Sequence, residues 1–311
     1  MLSKSPKFHD FSATDLTPAV DKKYAHLLKC ALKQQSVSFK LADVHRSIAN
    51  GLRRTILGEL MTKAMYVDIL DIDKNDPFII QEMIRERLRC VPIAQNIKMN
   101  TPLHIDVANT DALPRRIYAE SIRGAEKYVD PGMILFDLGP KYYFRANISL
   151  REDYAYNHAG HGVTCNVVCI PLDQKPIDLK TKVGISSSMS DPREYEIRFN
   201  TTGAMAPMDI IIAACDSIIE RVQRVVKLVD TITASDDEYH LVIDGESDTI
   251  GMLYMDSIYR LYEKIPMVTA TTDPIVRRAY LKIKCDEDVK SVIESTSKYI
   301  IGVFEQLKKQ M

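Results

Sequence analysis

His158, His161, Cys165 and Cys169 are the tightest grouping of chemistry-bearing side chains in the sequence, and imidazole and thiolate are the donors zinc prefers. The residues around the two cysteines argue against a shared ion. Residues 163–170 carry the β-branched and apolar run of a strand. Four strand residues span roughly 13 Å. Thiolates on one tetrahedral zinc lie within about 4 Å of each other, and the same distance excludes a Cys165–Cys169 disulfide. The expectation is therefore ordinary thiols, with no metal and no cofactor. No phosphate-binding glycine loop, HExxH pair, GxSxG elbow or kinase signature occurs. No aspartate-rich cluster offers a two-metal site. These absences predict a chain with no catalytic residues of its own.

A second constellation is basic. Arg46, Asn50, Arg53 and Arg54 fall at i, i+4, i+7 and i+8, on one face of a helix whose apolar stripe is Val44, Ile48, Leu52, Ile56 and Leu60. Taken alone, a basic face on an amphipathic helix is a solvated face. The alternative is docking, because arginine forks suit recognition of carboxylates and carbonyls on a partner.

Composition bounds what such a face can serve. Of 311 residues, 46% are hydrophobic and 27% charged, which suits a folded, core-forming chain. Lys+Arg number 41 and Asp+Glu 42, so the basic excess of a DNA-gripping protein is absent and little direct DNA contact is expected. Six scattered cysteines suit free thiols in a reducing, intracellular compartment. No signal peptide and no membrane span are read from the sequence.

The elements that must position these residues follow from periodicity. Residues 1–19 predict a mobile tail, and Val20–Leu32 a short helix. Ser36–Leu41 predicts a strand, with Asp43 as N-cap of the basic-faced helix. Residues 66–171 read as a β-rich insert with short strands (66–72, 103–107, 146–149, 163–170) and one helix near 77–89. Glu194–Asn200 predicts a return strand. Pro207–Val229 predicts a long helix on Ile211, Ala214, Ile218, Val222 and Val225. Thr231–Asp237 predicts a linker. Strand 239–243, helix 249–263, strand 278–284 and a long helix over 287–309 on Ile293, Ile300, Val303 and Leu307 repeat the grammar. Neither unit can bury its long helix alone, so the two are expected to pack long helix to long helix as an intrachain pseudo-dimer.

The run Ser47-Ile48-Ala49-Asn50-Gly51-Leu52-Arg53-Arg54-Thr55-Ile56-Leu57 resembles the first-helix signature of the α-like assembly subunits of RNA polymerases, which include bacterial α, archaeal D and the third-largest polymerase II subunit. Gln81–Ile93 resembles the same family's acidic–apolar–His–Arg segment, with Glu86 where the family has His. Phe199–Pro207 and the helix after it resemble the return strand, turn and second dimerisation helix. Glu246-Ser247-Asp248-Thr249-Ile250-Gly251-Met252-Leu253 resembles the box of the smaller L-type partner, keeping Thr249 and Gly251 but with Asp248 for His and Met252 for Asn.

The resemblance covers about residues 35–311. It implies an α+β fold: an α-type dimerisation domain (35–65 and 172–232) with a β-rich insert (66–171), fused to an L-like α/β partner domain (236–311) behind an N-terminal extension (1–34). The fusion resembles polymerases of large nucleocytoplasmic DNA viruses, whose compartment would be the host cytoplasm or a viral factory. Ile48, Leu52, Ile218, Val222, Val225, Thr249, Gly251, Ile293, Ile300, Val303 and Leu307 would form the intrachain dimerisation surface. Arg46, Asn50, Arg53 and Arg54 would face the second-largest subunit. Glu82 and Arg87 would organise the insert or touch a small zinc-containing subunit; the plain alternative is a local ion pair on a helix. The expected function is a non-catalytic assembly platform of a DNA-directed RNA polymerase; the alternative is a stand-alone adaptor that docks on one.

Overall fold

The computed structural model describes residues 5–16, 33–172, 192–235, 238–273 and 275–311. The basic-faced helix is α1 (Arg46–Gly58), and it is buried along Ile48, Ala49, Gly51, Leu52, Thr55 and Ile56. Burying each Ile or Leu of that stripe contributes roughly 1.5–3 kcal/mol, which outweighs the weak helix propensity of its Asn, Gly and Thr. The stripe lies near a four-stranded sheet ordered β1-β2-β11-β10. Its strands are β1 (Lys7–Asp15), β2 (Gln35–Ala42), β10 (Thr164–Pro171) and β11 (Glu194–Thr201). All three pairings are antiparallel.

Between α1 and β10 the chain builds the insert. In order these are β3 (Met61–Tyr66), β4 (Ile72–Lys74), α2 (Gln81–Arg89), β5 (Leu103–Ala108), β6 (Arg115–Tyr118), β7 (Ile122–Arg123), β8 (Ile134–Leu138) and β9 (Tyr143–Tyr154). β9 is the spine of the insert and pairs with β3, β4 and β5. The insert has its own core, including Met65, Leu88, Ile105, Phe136 and Phe144.

After β11 come α3 (Pro207–Lys227), β12 (Thr233–Ser235), β13 (Glu238–Asp244), α4 (Asp248–Leu261), β14 (Met267–Thr272), β15 (Arg278–Lys284) and α5 (Val289–Lys308). The last four strands form an antiparallel sheet ordered β12-β13-β15-β14. α3 packs on α5, α1 on both α3 and α4, and α4 on α5. One hydrophobic core runs through all of these elements, from Val37 and Ile48 through Ile218 and Val222 to Leu253, Ile300 and Leu307. Pro at the start of α3 needs no N–H partner there. Asp288 caps α5 by accepting from the N–H groups of Lys290 and Ser291.

Several expectations are corrected. Residues 7–15 are a strand rather than a tail: Phe8 packs on Phe39 with ring centroids 5.1 Å apart, and Lys40 pairs with Asp10 at 2.8 Å. The segment is an edge strand, polar and mostly exposed, so periodicity gave it no signal. Its start is tied to the other end of the chain, since Gln310 accepts from the Phe8 N–H and donates to the Pro6 carbonyl, both at 2.9 Å. Asp43 does not cap α1. It sits at φ 58°, and the N-cap is His45, whose side chain makes no capping bond. His45 instead turns its Nδ1 to Asp256 of α4 at 2.6 Å, with Ser47 donating to the same carboxylate at 2.9 Å. The strand expected at 66–72 is displaced: β3 ends at Tyr66, and Ile69–Asp71 is a 3-10 turn capped by Asp68. The insert helix begins at Gln81 rather than 77. Within the expected linker 231–237, Thr233–Ser235 pairs with β13; residues 236–237 lie outside the described residues, as do the expected helix at 20–32 and part of the 172–232 segment.

α4 meets β14 closely at Gly251, where an added Cβ would lie 3.1 Å from the Ala270 Cβ. Gly251→Val should therefore overpack this seam and cost about 1–3 kcal/mol, read as a lower urea midpoint at unchanged slope. An unchanged midpoint would mean the two elements are free to part there.

Candidate functional site

The centre of the molecule holds charges that the sequence reading missed. Arg221 of α3, Glu59 at the C-cap of α1 and Glu246 in the turn before α4 are 6%, 6% and 2% exposed, so each charge has left water. A buried charge is tolerated only when paired and hydrogen-bonded. Here Arg221 donates through Nε to Glu246 at 2.9 Å and through Nη1 to Glu59 at 2.6 Å. Arg224 adds a bond to Glu246 at 2.9 Å. Glu59 also accepts from Ser247 Oγ at 2.8 Å, Thr249 Oγ1 at 2.9 Å and Arg277 Nη2 at 3.3 Å. Burial alone would raise the Glu59 pKa. The Arg221 charge and hydrogen bond, then Ser247 and Arg277, overcome that and bring it from 4.5 to about 2. Burial would lower the Arg221 pKa, but its bonds to Glu246 and Glu59 raise it.

The basic face of α1 is anchored to this network. Thr249 donates to Glu59 and accepts from Arg54 Nε at 2.9 Å, so Arg54 is aimed by a hydroxyl that the buried glutamate itself orients. Arg54 also lies 3.8 Å from Asp248. Arg53 turns the other way and donates to Asn50 Oδ1 at 2.8 Å. Its pKa is lowered by burial and by its neighbour Arg54. Arg46 and Asn50 are exposed. The four side chains line adjoining hollows: one of about 530 Å³ against Thr249, Met252 and Asp256 of α4, and one of about 240 Å³ against Cys169, Pro171 and Tyr195. A third, of about 500 Å³, is walled by Arg53, Arg54, Tyr156 and Arg277. There the Arg277 guanidinium stacks 3.7 Å from the Tyr156 ring centroid and donates through Nε to the Gly245 carbonyl at 2.9 Å. Arg277 thereby touches the insert, α1 and the turn before α4 together.

Glu82 and Arg87 lie elsewhere, on α2, and both are exposed. Arg87 donates to the Leu135 carbonyl at 2.9 Å, so it holds α2 to β8. Glu86 accepts from His158 Nε2 at 2.7 Å. His158 Nδ1 accepts from the Gly160 N–H at 2.9 Å. Gly160 is required there, because a Cβ would sit 2.3 Å from the Arg89 carbonyl oxygen. His161 is buried, with Nδ1 2.8 Å from the Thr62 carbonyl. Both imidazoles are thus committed to the junction between α2, β3 and the turn after β9. β10 is not regular between its cysteines as expected: it bulges between Cys165 and Val168, with Asn166 at φ 56°. Cys165 is exposed, while burial pushes the Cys169 thiol up to about 11 against the pull of Arg53 and Arg46. Among the described residues no group of three or more His, Cys, Asp or Glu is placed to hold a metal ion, and no helix is long and apolar enough to cross a membrane.

Of the residues expected to join the two units, Ile48, Leu52, Ile218, Val222, Val225, Thr249, Ile293, Ile300, Val303 and Leu307 are all buried, and so is Gly251. The signal for Arg221 was present but unread: it is a lone charge between Ile218, Val222 and Val225 on an apolar stripe.

With this geometry in view, residues 38–222 match the family model of the RNA polymerase Rpb3/Rpb11 dimerisation domain. The chain belongs to that family. Within it, the chain is 46% identical over 61 residues to the DNA-directed RNA polymerase subunit Rpo3 of Pyrococcus furiosus, covering 20% of this chain and 23% of the relative. It is 42% identical over 60 residues to the Rpo3 subunit of Pyrococcus horikoshii, covering 19% and 22%. The chain thus matches less than a quarter of the length of these curated relatives. The Rpb3/Rpb11-type match takes in α1, the insert and most of α3, and therefore both Glu59 and Arg221.

Glu59 makes the network sensitive to acid. Its folded pKa, about 2, lies below the ordinary 4.5, so its contribution is complete above pH 4.5 and drains as pH falls towards 2. The shift corresponds to roughly 3 kcal/mol. Glu59→Gln should lower stability at pH 7 and flatten the loss between pH 5 and pH 3, measured by denaturant midpoints. A variant with the wild-type slope would show that Glu59 does not titrate as a paired carboxylate.

Proposed function

We propose that this chain is the assembly-platform subunit of a multisubunit DNA-directed RNA polymerase, carrying both halves of the assembly dimer in one polypeptide. Membership of the Rpb3/Rpb11 family supports the class of protein. The observation that carries the fused reading is the continuous core, in which α3 packs on α5 and the Glu59–Arg221–Glu246 network ties α1 and α3 to the start of α4. The boundaries proposed are a dimerisation domain at 35–65 and 172–232, an insert at 66–171 and a partner-like domain at 236–311.

Function on this reading is presentation of surface rather than chemistry. Arg46, Asn50, Arg53 and Arg54 are the anchors for the second-largest subunit. Arginines that a scaffold has already oriented lose less freedom on binding, and Arg54 is held by Thr249. Glu82 and Arg87 belong to the insert's contact with a small zinc-containing subunit. Fusion replaces dimerisation of two chains by an intramolecular step, at an effective concentration on the order of mM for a short linker. The resemblance to fused viral chains extends the proposal to a viral polymerase acting inside the host cell. RNA synthesis would reside in the other subunits.

Recovery of both large polymerase subunits at equal stoichiometry, in a tagged pull-down from the native source washed at high salt, is the expected result. Substoichiometric polymerase would instead make the chain an adaptor. Arg53→Ala/Arg54→Ala should leave the chain folded and weaken large-subunit binding by about tenfold or more; wild-type binding would remove the docking role from this face. Separately expressed 1–234 and 236–311 should form a one-to-one complex by size exclusion. Two stable monomers that ignore each other would overturn the intrachain dimer.

A further inference from the structure

The insert carries an apolar surface that its own core does not use. Leu70 is 93% exposed, Phe78 86%, Ile80 56% and Met83 48%. Large apolar side chains scattered singly need no explanation, but a contiguous group does. These four lie within 14 residues of sequence, around one corner of the fold. Leu70 stands on the 3-10 turn Ile69–Asp71, which packs against α2. Gln81, the first residue of α2, donates to the Ile72 carbonyl at 3.3 Å and so draws the helix start beside that turn. Ile80 and Met83 are three residues apart across the helix start, on one face.

The corner is built rather than frayed. Asp68 accepts from the Leu70 N–H at 3.1 Å. Asp76 is buried, and its carboxylate accepts from the Phe78 N–H at 2.9 Å and the Gly139 N–H at 2.8 Å. Buried Ile72, Ile79 and Ile84 alternate with the exposed residues and pin the segment to the insert core. The sequence therefore holds Leu70, Phe78 and Ile80 in water on a fixed backbone, where turning them inward would break these bonds.

Charge indicates what fits there. Asp68, Asp71, Asp73 and Glu82 are the exposed ionisable groups between residues 68 and 83. The Asp71 and Glu82 carboxylates have no hydrogen-bond or ion-pair partner among the described residues, and Asp73 takes the Tyr143 hydroxyl at 2.9 Å and lies 3.9 Å from Arg145. The lone lysine of the stretch, Lys74, is spent on the Asp76 carbonyl at 2.9 Å. Arg85 pairs with Glu86, and Arg87 is held by the Leu135 carbonyl. An apolar centre with a negative rim complements an apolar segment flanked by Lys or Arg.

We propose that this corner of the insert is a docking surface for a basic, apolar-bearing segment of a second, different protein chain. It deepens the assembly reading only in that the partner is sought among chains that purify with this one. It is separate from the arginine face of α1, which has the opposite charge.

The test places a photoreactive benzoyl-phenylalanine at position 78 of the full chain in the native complex, irradiates, and sequences the joined peptides by mass spectrometry. The expected product is a single peptide from another polypeptide, with net positive charge and at least one large apolar residue. Leu70→Ser and the pair Asp71→Lys/Glu82→Lys should each reduce its yield by about tenfold or more, the effect of losing an anchoring contact. Both replace exposed side chains, so the thermal midpoint of the free chain should hold. A neutral or acidic peptide, a join to a second copy of this chain, no product, or a yield indifferent to the charge reversal would each overturn the proposal. A complex that keeps its large subunits but gives no product at position 78 removes this surface alone. A chain that purifies without polymerase removes the assembly reading, while a basic peptide joined at position 78 would still stand.

Discussion

One arginine holds three parts of this protein in register. Arg221 is buried between Glu59 and Glu246, residues that come from the end of the first helix and the turn before the fourth. Removing its charge would strand two carboxylates in a low-dielectric interior, at a cost of several kcal/mol. The network contributes less to net stability than the hydrophobic core around it, because desolvation offsets much of the Coulombic gain. Its consequence is geometric: apolar stripes can slide by a turn and still bury area, whereas a fork shared by two carboxylates has one arrangement.

That constraint extends outward to the surface. Thr249 hands the orientation of Glu59 to Arg54, and Arg277 hands it to Tyr156 at the edge of the insert. At the other end of α1, His45 and Ser47 grip Asp256 of α4, whose carboxyl is held near 2 by the His45 hydrogen bond and charge despite its burial. The helix that carries Arg46, Arg53 and Arg54 is thus fixed at both ends to the C-terminal unit. A docking face needs such rigidity, since side chains already in place lose less entropy when a partner arrives.

Surface chemistry divides along the same architecture. The α1 face is cationic and polar, with Arg53 partly desolvated beside Arg54. The insert corner at Leu70 and Phe78 is apolar and acid-rimmed. On the proposed reading, two surfaces of opposite charge would select different partners, because each repels what the other attracts. The insert keeps its own core, so its corner does not depend on packing of the long helices.

Among the described residues, the sequence by itself determined the helices and seven of the fifteen strands. Apolar stripes at 3.6-residue spacing on α1, α3 and α5 survive any context, because each must bury a face somewhere. The arginine face of α1 was legible for the same reason, and the SIANGLRRTIL run carried the family. What periodicity could not supply was partnership. β1 is an edge strand whose outward residues are polar, so only its pairing with β2 reveals it. Asp43 has the composition of an N-cap, yet the chain turns through φ 58° there and leaves His45 to reach α4. The ion network is the clearest case. Glu59 lies 162 residues from Arg221, and Glu246 lies 25 beyond it. Arg221 interrupts an apolar stripe, but each glutamate alone has the composition of a surface charge, and nothing in the sequence pairs the three. Only the tertiary structure brings them together out of water, where each must be paired, and it does so because the apolar stripes that the sequence does encode close over them.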